Sequence, residues 1–274
     1  MLPGSTPLEA AGALSSLVML APAGTVERRY GLALGLKALV PGGSLIALAP
    51  KDRGGSRLKK ELQSFGCSVE ERIKAHHRIC AVVRPEALIG VEAAIADGAP
   101  RVIQPFGLVS QPGVFSWDRI DPGSALLAQE LPAFNGKGAD LGCGVGYLAR
   151  AVLTSPRVER LALIDIDRRA MDAARRNIED ARADFHWADA TGPDVPLTSL
   201  DFVVMNPPFH DGGFEDKALG QAFIKRAAAA LRKGGALWLV ANRHLPYETT
   251  LTGLFATVEV KIEQGGYKVF EARR

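Results

Sequence analysis

Cysteine is scarce in this chain, and long apolar runs are absent from it. The 274 residues include three cysteines, at positions 67, 80 and 143. They show neither the even number of a disulfide framework nor the close pairing of a metal site. We therefore expect no bound metal and a reducing, cytoplasmic environment. No apolar run approaches the roughly 20 residues that cross a bilayer, so we also expect a soluble protein without membrane association.

The N-terminal segment lacks the basic region of a secretory signal. Its apolar stretch, ALSSLVMLAPAG, ends in a signal-like site of small residues, but no Lys or Arg precedes Arg28. This pattern predicts a buried strand rather than a leader.

Strong net charge is lacking too, since the formal net charge is +3. Such a value says little about partners, but the charge is unevenly distributed. The segment from Lys51 to Arg84 carries nine Lys or Arg against four acids. The whole chain is 47% hydrophobic and 23% charged, which is typical of a globular protein with a proper core and argues against disorder.

The second half of the chain alternates short apolar runs with helical patterns. RLALIDID, LDFVVMN and ALWLVAN read as strands, and the segments between them read as helices. Strands and helices of these lengths predict crossover units on a largely parallel, doubly wound α/β sheet. The last 20 residues differ, because two β-rich runs flank Gln264-Gly265-Gly266 and predict a terminal antiparallel hairpin.

The first half contains a faint copy of the second. ALVPGGSLIALAP aligns with ALRKGGALWLVAN and places Gly42 on Gly234. We interpret this as an internal repeat, although any two helix-Gly-Gly-strand units look alike. The first copy has Leu20 where the second has Asn206, and it lacks a glycine-rich loop. A Gly- and Pro-rich segment then predicts two domains, residues 1–110 and 111–274.

The segment GADLGCGVGYLAR predicts a loop that binds a cofactor. It places Asp140 at the end of a strand, and Gly142, Gly144 and Gly146 in the turn that opens the next helix, where the backbone can approach a ligand. The Gly-x-Gly-x-Gly spacing departs from the dinucleotide fingerprint. The preceding carboxylate would repel a pyrophosphate and suits a cationic ligand such as S-adenosylmethionine.

Two further acids follow the next two strands. Asp165 could accept hydrogen bonds from ribose hydroxyls, and Asp189 could reach an adenine amine. Ordinary capping of strand ends is the alternative interpretation. Three acids at three successive strand ends favour a ligand, because ligands bind outside the carboxyl ends of such strands.

The stretch VVMNPPFHDGG predicts the site of the acceptor. Two adjacent prolines remove two backbone donors, so the chain must leave the sheet at Pro207. The Asn206 side-chain oxygen and the Pro207 carbonyl can accept both N–H groups of one aromatic amine. Phe209 can stack on the base, a contact that contributes about 1–3 kcal/mol in nucleic-acid sites. For His210 we expect a structural or substrate-positioning role.

These residues resemble a known family. DLGCGVG with NPPF resembles the class I S-adenosylmethionine-dependent methyltransferases that modify exocyclic amines. GVFSWDRIDPGSALL, NPPFHDG, VANRHLPY and GGYKVFEA together resemble the RsmC-type ribosomal RNA guanine methyltransferases, over most of the chain from Gly113 to Arg274. The resemblance implies a Rossmann-like catalytic domain preceded by a degenerate methyltransferase-like domain, which is truncated in this chain.

The resemblance also implies a substrate and a set of site residues. Family members methylate the 2-amino group of a guanine in small-subunit rRNA, and a sister group acts on large-subunit rRNA. The implied cofactor residues are Asp140, Gly142, Cys143, Gly144, Gly146, Asp165, Ile166, Asp189, Ala190 and Asn206. The implied catalytic residues are Asn206, Pro207 and Phe209, while Phe115, Ser116 and Asp121 would lie near the cofactor entrance.

RNA is the partner that these expectations require, as free rRNA or as the small ribosomal subunit, with the protein acting as a monomer. Its guanine must be unpaired or flipped. Besides Phe209 and His210, we expect Arg53, Arg57 and Lys59 to contact the substrate, with Ser56 as a helix N-cap beside them. A solvated charged helix face explains the same charges. Methylation of DNA adenine or protein glutamine, or a non-catalytic role in RNA binding and assembly, remain alternatives.

Overall fold

The computed structural model describes residues 7–208, 210–211, 214–215 and 217–274, and of residues 210–211 and 214–215 it describes the backbone alone. The chain divides into two compact units. Unit 1 comprises Met1–Arg101 and Gln111–Gly113, and unit 2 comprises Val102–Ser110 and Val114–Arg274. No helix in the described part of the chain is long and apolar enough to span a bilayer.

Unit 1 is a four-stranded sheet with helices on one face. Its elements are β1 (Leu14–Leu20), α1 (Thr25–Ala38), β2 (Leu39–Pro50), α2 (Ser56–Ser64), β3 (Val69–Lys74), β4 (His77–Val83) and α3 (Val91–Gly98). The strand order is β1-β2-β4-β3. Alternation along β2 sends Leu45, Ala47 and Ala49 into the core, against Leu32 and Leu58 of the helices.

The strand predicted near the N-terminus is present as β1, but the prediction that it is buried is wrong. It lies at the edge of the sheet, and Val18 and Leu20 are each 68% exposed. Apolar content predicts a strand correctly, whereas its burial depends on what covers the sheet. The expected cap at Ser56 is also wrong, because α2 begins at Ser56 after Gly55, with no side-chain capping bond.

Unit 2 is a doubly wound α/β fold, as predicted. Its elements are β5 (Arg101–Ile103, which begins in unit 1), β6 (Leu108–Ser110), α4 (Pro122–Glu130), β7 (Gly136–Leu141), α5 (Tyr147–Leu153), β8 (Val158–Asp165), α6 (Arg168–Asn177), β9 (Ala183–Trp187), β10 (Leu200–Met205), β11 (His210–Asp211), β12 (Phe214–Glu215), α7 (Lys217–Ala230), β13 (Leu231–Asn242), α8 (Glu248–Leu254), β14 (Thr257–Gln264) and β15 (Tyr267–Arg273).

The seven main strands of unit 2 form one sheet in the order β14-β15-β13-β10-β7-β8-β9. The strands from β13 to β9 are parallel, and β14 and β15 form the predicted terminal antiparallel hairpin. Two apolar clusters cover the two faces of the sheet, one with α7 and α8 and the other with α4, α5 and α6. The carboxyl ends of β7, β8, β9 and β10 therefore meet at one edge.

The internal repeat is visible in the strand register. Both ends of α7 lie 192 positions after those of α1. In each parallel pair the register slips at the same point, since Leu14–Leu39 is followed by Ser16–Ser44, and Leu200–Leu231 by Phe202–Ala236. Unit 1 thus repeats the β10-β13-β15-β14 half of unit 2. It has no counterpart of β7, β8 and β9 among its described residues, and Leu20 stands in the place of Asn206.

Candidate active site

The carboxyl edge of the unit 2 sheet encloses a cavity of about 310 Å³. The glycine loop, the chain after β8 and β9, and Phe115 border it. The residues that line it are Phe115, Gly142, Gly144, Asp165, Ile166, Asp189, Ala190, Asn206, Pro207, Pro208, Leu219 and Phe223. A smaller cavity of about 70 Å³ shares Phe115, Gly142, Gly144 and Asn206 and extends to Ser116, Arg119, Asp121 and Ser124.

The glycine loop has the backbone conformation that requires its glycines. Gly142, Gly144 and Gly146 have φ angles of 72°, 54° and 86°, in the left-handed region that other residues rarely adopt. Gly146 then caps α5. The backbone is open to the cavity at Gly144, where a built Cβ would meet no atom within 4 Å.

Asp165 supports the loop from the end of β8. Its carboxylate accepts hydrogen bonds from the Gly144 and Asp167 backbone N–H groups, each at 2.8 Å. Burial raises its pKa despite these bonds. The next residue, Ile166, is 72% exposed and presents an apolar side chain at the cavity. The loop and the strand end are thus held together before any ligand is present.

Asp189 and Ala190 follow β9. Asp189 accepts hydrogen bonds from the Thr191 backbone N–H at 2.8 Å and hydroxyl at 2.7 Å, both on one oxygen. Ala190 is buried under the cavity wall. The geometry therefore leaves the second carboxylate oxygen of Asp189 outside these two bonds.

Asp140 lies beneath the loop and does not line either cavity. Its side chain is fully buried, and in the described structure no hydrogen bond of normal length reaches either carboxylate oxygen. Burial, with a contribution from the nearby Asp165 charge, raises the pKa of Asp140 to about 8. A buried carboxyl group whose charge is so weakly compensated fits a ligand that brings positive charge to the loop above it.

Cys143 is also buried, with its thiol directed at Met171 rather than at the cavity of 310 Å³. Burial raises the pKa of the thiol well above its ordinary value, so the side chain stays protonated. The Cys143 backbone, in contrast, contributes to the loop, because its N–H and that of Gly142 both donate to the Ile164 carbonyl.

Asn206 follows β10 and contacts both cavities. The strand ends at Met205, as predicted from the two prolines. The Asn206 Nδ2 atom donates to Asp121 Oδ2 and to Ser124 Oγ, each at 2.8 Å. Pro207 is buried and Pro208 is exposed beside it. Sequence reasoning missed Ser124; an Asp-Pro-x-Ser helix start before an apolar run was the signal that could have identified it.

The predicted substrate residues fall into three groups. Phe209 lies outside the described residues. His210 belongs to β11, where its backbone is opposite Glu215. Arg53, Arg57 and Lys59 belong to unit 1 and line neither cavity of unit 2. The structure therefore brings most of the predicted cofactor residues together with Asn206 and Pro207 around the two cavities, whereas Asp140 and Gly146 line neither. The basic residues belong to unit 1 instead.

Comparisons with known proteins show that this chain is similar to methyltransferases. Residues 105–271 match the model of the methyltransferase small domain family. The ribosomal RNA small subunit methyltransferase C of Pseudomonas aeruginosa strain LESB58 is 33% identical over 96% of this chain and 80% of its own length. The protein of that name from Shewanella loihica is 29% identical over 94% of this chain and 77% of its own.

One solved structure is similar across both units. The T. thermophilus 16S rRNA guanine-1207 N2 methyltransferase RsmC, in complex with AdoMet and guanosine, superposes with a TM-score of 0.79 at 27% identity. The superposition covers 97% of this chain and 74% of that one.

Proposed function

Because the chain belongs to the methyltransferase small domain family, and within it to the RsmC-type methyltransferases, we propose that it methylates the 2-amino group of a guanine in 16S rRNA. The methyl donor is S-adenosylmethionine, which supplies an electrophilic methyl group on a sulfonium. The observation that carries the proposal is the position of Asn206, which lines the same cavity as Gly142, Gly144 and Asp165.

Asn206 and Pro207 perform the step that the reaction needs from the protein. The lone pair of a guanine 2-amino group is delocalised into the ring and is a poor nucleophile. The Asn206 Oδ1 and the Pro207 carbonyl accept its two N–H groups, so that the nitrogen pyramidalises and its lone pair is directed at the methyl group. As the C–N bond forms, the bond between the methyl carbon and the sulfonium sulfur would break and the neutral thioether would leave. The methylated amine would then lose one proton to water, so no strongly basic side chain is required. Phe209 stacks on the ring in this proposal.

The cofactor is held by the residues around the larger cavity. Asp165 and Asp189 bind the nucleoside part, with Ile166 and Ala190 as apolar walls, and the backbone of Gly142–Gly146 borders the other end. Asp140 lies beneath that loop, where its carboxyl group becomes negatively charged when the cationic ligand binds. These assignments rest on the cavity lining and on the fit between an acidic site and a cationic ligand.

The target base and the roles of the two domains are further parts of the proposal. The counterpart of guanine 1207, which the T. thermophilus enzyme modifies, is the substrate that the likeness across both units favours. Residues 111–274 catalyse the reaction, and residues 1–110 recruit RNA through the basic segment. The enzyme acts as a monomer in the cytoplasm, where ribosomal RNA is present.

Methyl transfer to separated nucleic acids and proteins tests the proposal. The protein is incubated with labelled S-adenosylmethionine and with 16S rRNA, 23S rRNA, DNA or a protein extract. We expect label in 16S rRNA, at one guanine located by mass spectrometry of RNase fragments. If label enters only 23S rRNA, DNA or protein, the proposed substrate is wrong and the labelled molecule takes its place. If the protein binds the cofactor but transfers no methyl group, a non-catalytic role in assembly is the remaining interpretation.

The variant Asn206→Ala tests the catalytic step in the same assay. Loss of a preorganised polar group at the reacting atom typically reduces kcat by about 10²–10³-fold. We expect such a loss with the cofactor Kd unchanged within about twofold, measured by calorimetry. Full activity in Asn206→Ala would refute the mechanism even if the substrate is correct.

A further inference from the structure

The Asn206 amide is held in one orientation by Asp121, the N-cap of α4, and by Ser124 in the first turn of that helix. Its Nδ2 atom donates to Asp121 Oδ2 and to Ser124 Oγ, each at 2.8 Å. A primary amide has two N–H donors and one oxygen acceptor. These two contacts use both donors, and they leave Oδ1 as the part of the amide that can face a substrate.

The first turn of α4 brings the two acceptors to one point. Asp121 is the N-cap of the helix, and its Oδ2 atom also accepts the Ser124 backbone N–H at 2.8 Å. Pro122 follows at the first helical position, where its fixed φ suits the helix. The Asp121 carboxylate is therefore fixed from its own helix before it meets Asn206.

Gly123 lets this turn pack tightly against the last strand. A built Cβ at Gly123 would lie 2.9 Å from two ring carbons of Tyr267 and 3.1 Å from Asp121 Oδ2. Burial, together with the Asp121 charge, raises the pKa of Tyr267. The Asp121 side chain thus lies in a partly desolvated setting between β15 and β10, where a hydrogen bond to its charge is stronger than in water.

The carboxylate selects the orientation of the amide. Rotation of the Asn206 amide by half a turn would place Oδ1 against Asp121 Oδ2, so that two acceptors would face each other and a charge-assisted bond would be lost. Ser124 discriminates less, because a hydroxyl can donate as well as accept. Asp121 is therefore the stronger determinant of the two.

We propose that Asp121 and Ser124 are positioning residues for methyl transfer, because they fix the Asn206 Oδ1 atom as the acceptor for the substrate amine. This inference rests on the proposed function, since it assigns the geometry of the same site. Without these contacts the amide can present its NH₂ group to the amine, which repels both N–H groups. The effect then falls on kcat rather than on cofactor binding.

Asp121→Asn tests the inference with little change of shape. The introduced amide oxygen still accepts the Ser124 N–H, so the helix cap survives, but its bond to Asn206 loses the charge of the carboxylate and holds the Asn206 amide in one orientation less strongly. We expect kcat to fall at least tenfold, with the cofactor Kd within twofold of wild type. Ser124→Ala should lower kcat about threefold.

Asp201→Asn is the matched control. Asp201 lies at the opposite end of β10, where its carboxylate accepts the Lys137 backbone N–H at 2.7 Å, so the variant makes the same chemical change far from Asn206. We expect its kcat within twofold of wild type. All variants are made in the full-length protein and assayed for kcat on 16S rRNA. Their urea unfolding is measured in parallel to detect any loss of stability.

Two outcomes would overturn the inference. A kcat of Asp121→Asn within twofold of wild type would show that the orientation of Asn206 does not depend on the carboxylate. A rise in the cofactor Kd that matches the loss of kcat/KM would make Asp121 a cofactor ligand instead. Failure of the proposed function is distinguishable, because wild type itself would then leave 16S rRNA unmodified.

Discussion

Among the three acids at the strand ends, Asp140 differs from Asp165 and Asp189 in its burial and hydrogen bonding. Asp165 and Asp189 accept hydrogen bonds from nearby donors, whereas the Asp140 carboxyl group is buried beneath the glycine loop with its pKa raised to about 8. In the ligand-free protein it is therefore largely protonated at pH 6–7. A cationic ligand above the loop favours the charged form, so binding lowers this pKa and releases a proton.

Cofactor affinity should depend on pH through Asp140. Below a free-state pKa of about 8, ligand binding must first remove the proton, which costs affinity by up to tenfold per pH unit. We expect the Kd for S-adenosylmethionine to fall by a factor of up to about 10 between pH 6 and pH 7. Calorimetry at both values measures the Kd and the proton release.

Asp140→Asn provides the test, because it keeps the shape and removes the titration. We expect weaker binding with no change of Kd between pH 6 and pH 7. The same variant should be more stable than wild type at pH 8. A native pKa above the unfolded value of 3.8 means that wild-type stability falls as pH rises from about 4 to about 8. A pH-dependent Kd in Asp140→Asn would assign the titration elsewhere.

At the scale of elements, the loop after β1 shows how unit 1 differs from the active site. This segment, Leu20–Ala23, corresponds to residues 206–209 of unit 2. Arg28 of α1 is fully buried, donates to the Pro22 and Ala23 carbonyls at 3.1 and 2.7 Å, and forms two bonds of 2.7 Å with Glu61 of α2. The equivalent of the acceptor loop is thus tied into the core by an ion pair.

Gly54 makes room for this ion pair. A Cβ at Gly54 would lie 2.1 Å from an Arg28 guanidinium nitrogen, and its φ of 93° suits glycine. The turn Lys51–Gly55 therefore bends over Arg28. The contacts join the loop after β1, α1, α2 and this turn, so the pair links these four elements at the carboxyl ends of β1 and β2.

Glu61→Gln should destabilise unit 1 strongly. Removal of one partner leaves a buried, uncompensated charge, which costs about 3–5 kcal/mol. The matched control is Glu92→Gln, because Glu92 pairs with Lys37 at 2.8 Å with both side chains more than half exposed. Such a pair contributes about 0–1 kcal/mol.

Two measurements separate the units in this experiment. The three tryptophans, Trp117, Trp187 and Trp238, all belong to unit 2, so their fluorescence reports the urea unfolding of that unit. Hydrogen exchange of peptides from α1 and β2 reports unit 1. We expect faster exchange in unit 1 of Glu61→Gln with the fluorescence midpoint unchanged. Equal effects of the two variants would contradict the role assigned to the pair.

The elements and the strand-end residues could be predicted from the sequence for a local reason. The spacing of apolar residues and the positions of turn residues indicate the local secondary structure. The carboxyl ends of parallel strands must then meet at one edge of the sheet. Asp165, Asp189 and Asn206 were therefore placed together correctly. The bonds of Asn206 to α4 span 85 and 82 positions of the chain, and no local pattern reports such contacts. The same holds for the burial of Asp140 and for the edge position of β1.

At the scale of the whole molecule, the fold of unit 1 brings basic residues that are distant in sequence close together. The Lys51 backbone N–H donates to the His76 carbonyl at 2.9 Å, which ties the turn before α2 to the tip of the β3–β4 hairpin. Lys51, Arg57 and Lys74 are exposed there, and Lys59 is half-buried. Residues distant in sequence thus add to the three predicted ones, as a phosphate-binding surface requires.

The triple variant Arg53→Ala, Arg57→Ala, Lys59→Ala should bind 16S rRNA more weakly. Each lost phosphate contact reduces the slope of log K against log salt by about 0.7–0.9. We expect a reduction of about 2 in the slope, since three phosphate contacts are lost. Binding titrations from 50 to about 200 mM salt measure it.

A control with the same loss of charge uses Arg157, Arg232 and Lys233, each replaced by Ala. Arg157 precedes β8, and Arg232 and Lys233 lie near the start of β13. These positions are at the edge of the unit 2 sheet opposite to Asn206. An equal reduction of the slope in both triple variants would show a general effect of net charge rather than a specific surface.

The repeat also offers a comparison of one residue type in two settings. Val18 of β1 and Val204 of β10 occupy equivalent positions in the repeat. Each lies two residues before the equivalent pair Leu20 and Asn206, and each pairs with the neighbouring parallel strand in the same register. Val204 is fully buried with Phe202, Trp238, and Leu126 and Leu127 of α4, whereas Val18 is 68% exposed. The difference is what covers that face of each sheet.

Val204→Ala should therefore lower the free energy of unfolding of unit 2 by about 2 kcal/mol, because two buried methyl groups are lost and a cavity remains. Val18→Ala should change the stability of unit 1 by less than about 0.5 kcal/mol. Tryptophan fluorescence in urea measures the first change, and hydrogen exchange of β1 and β2 peptides measures the second. A comparable loss in Val18→Ala would mean that another molecule covers the unit 1 face in solution, since the exposed side chain has no packing of its own to lose.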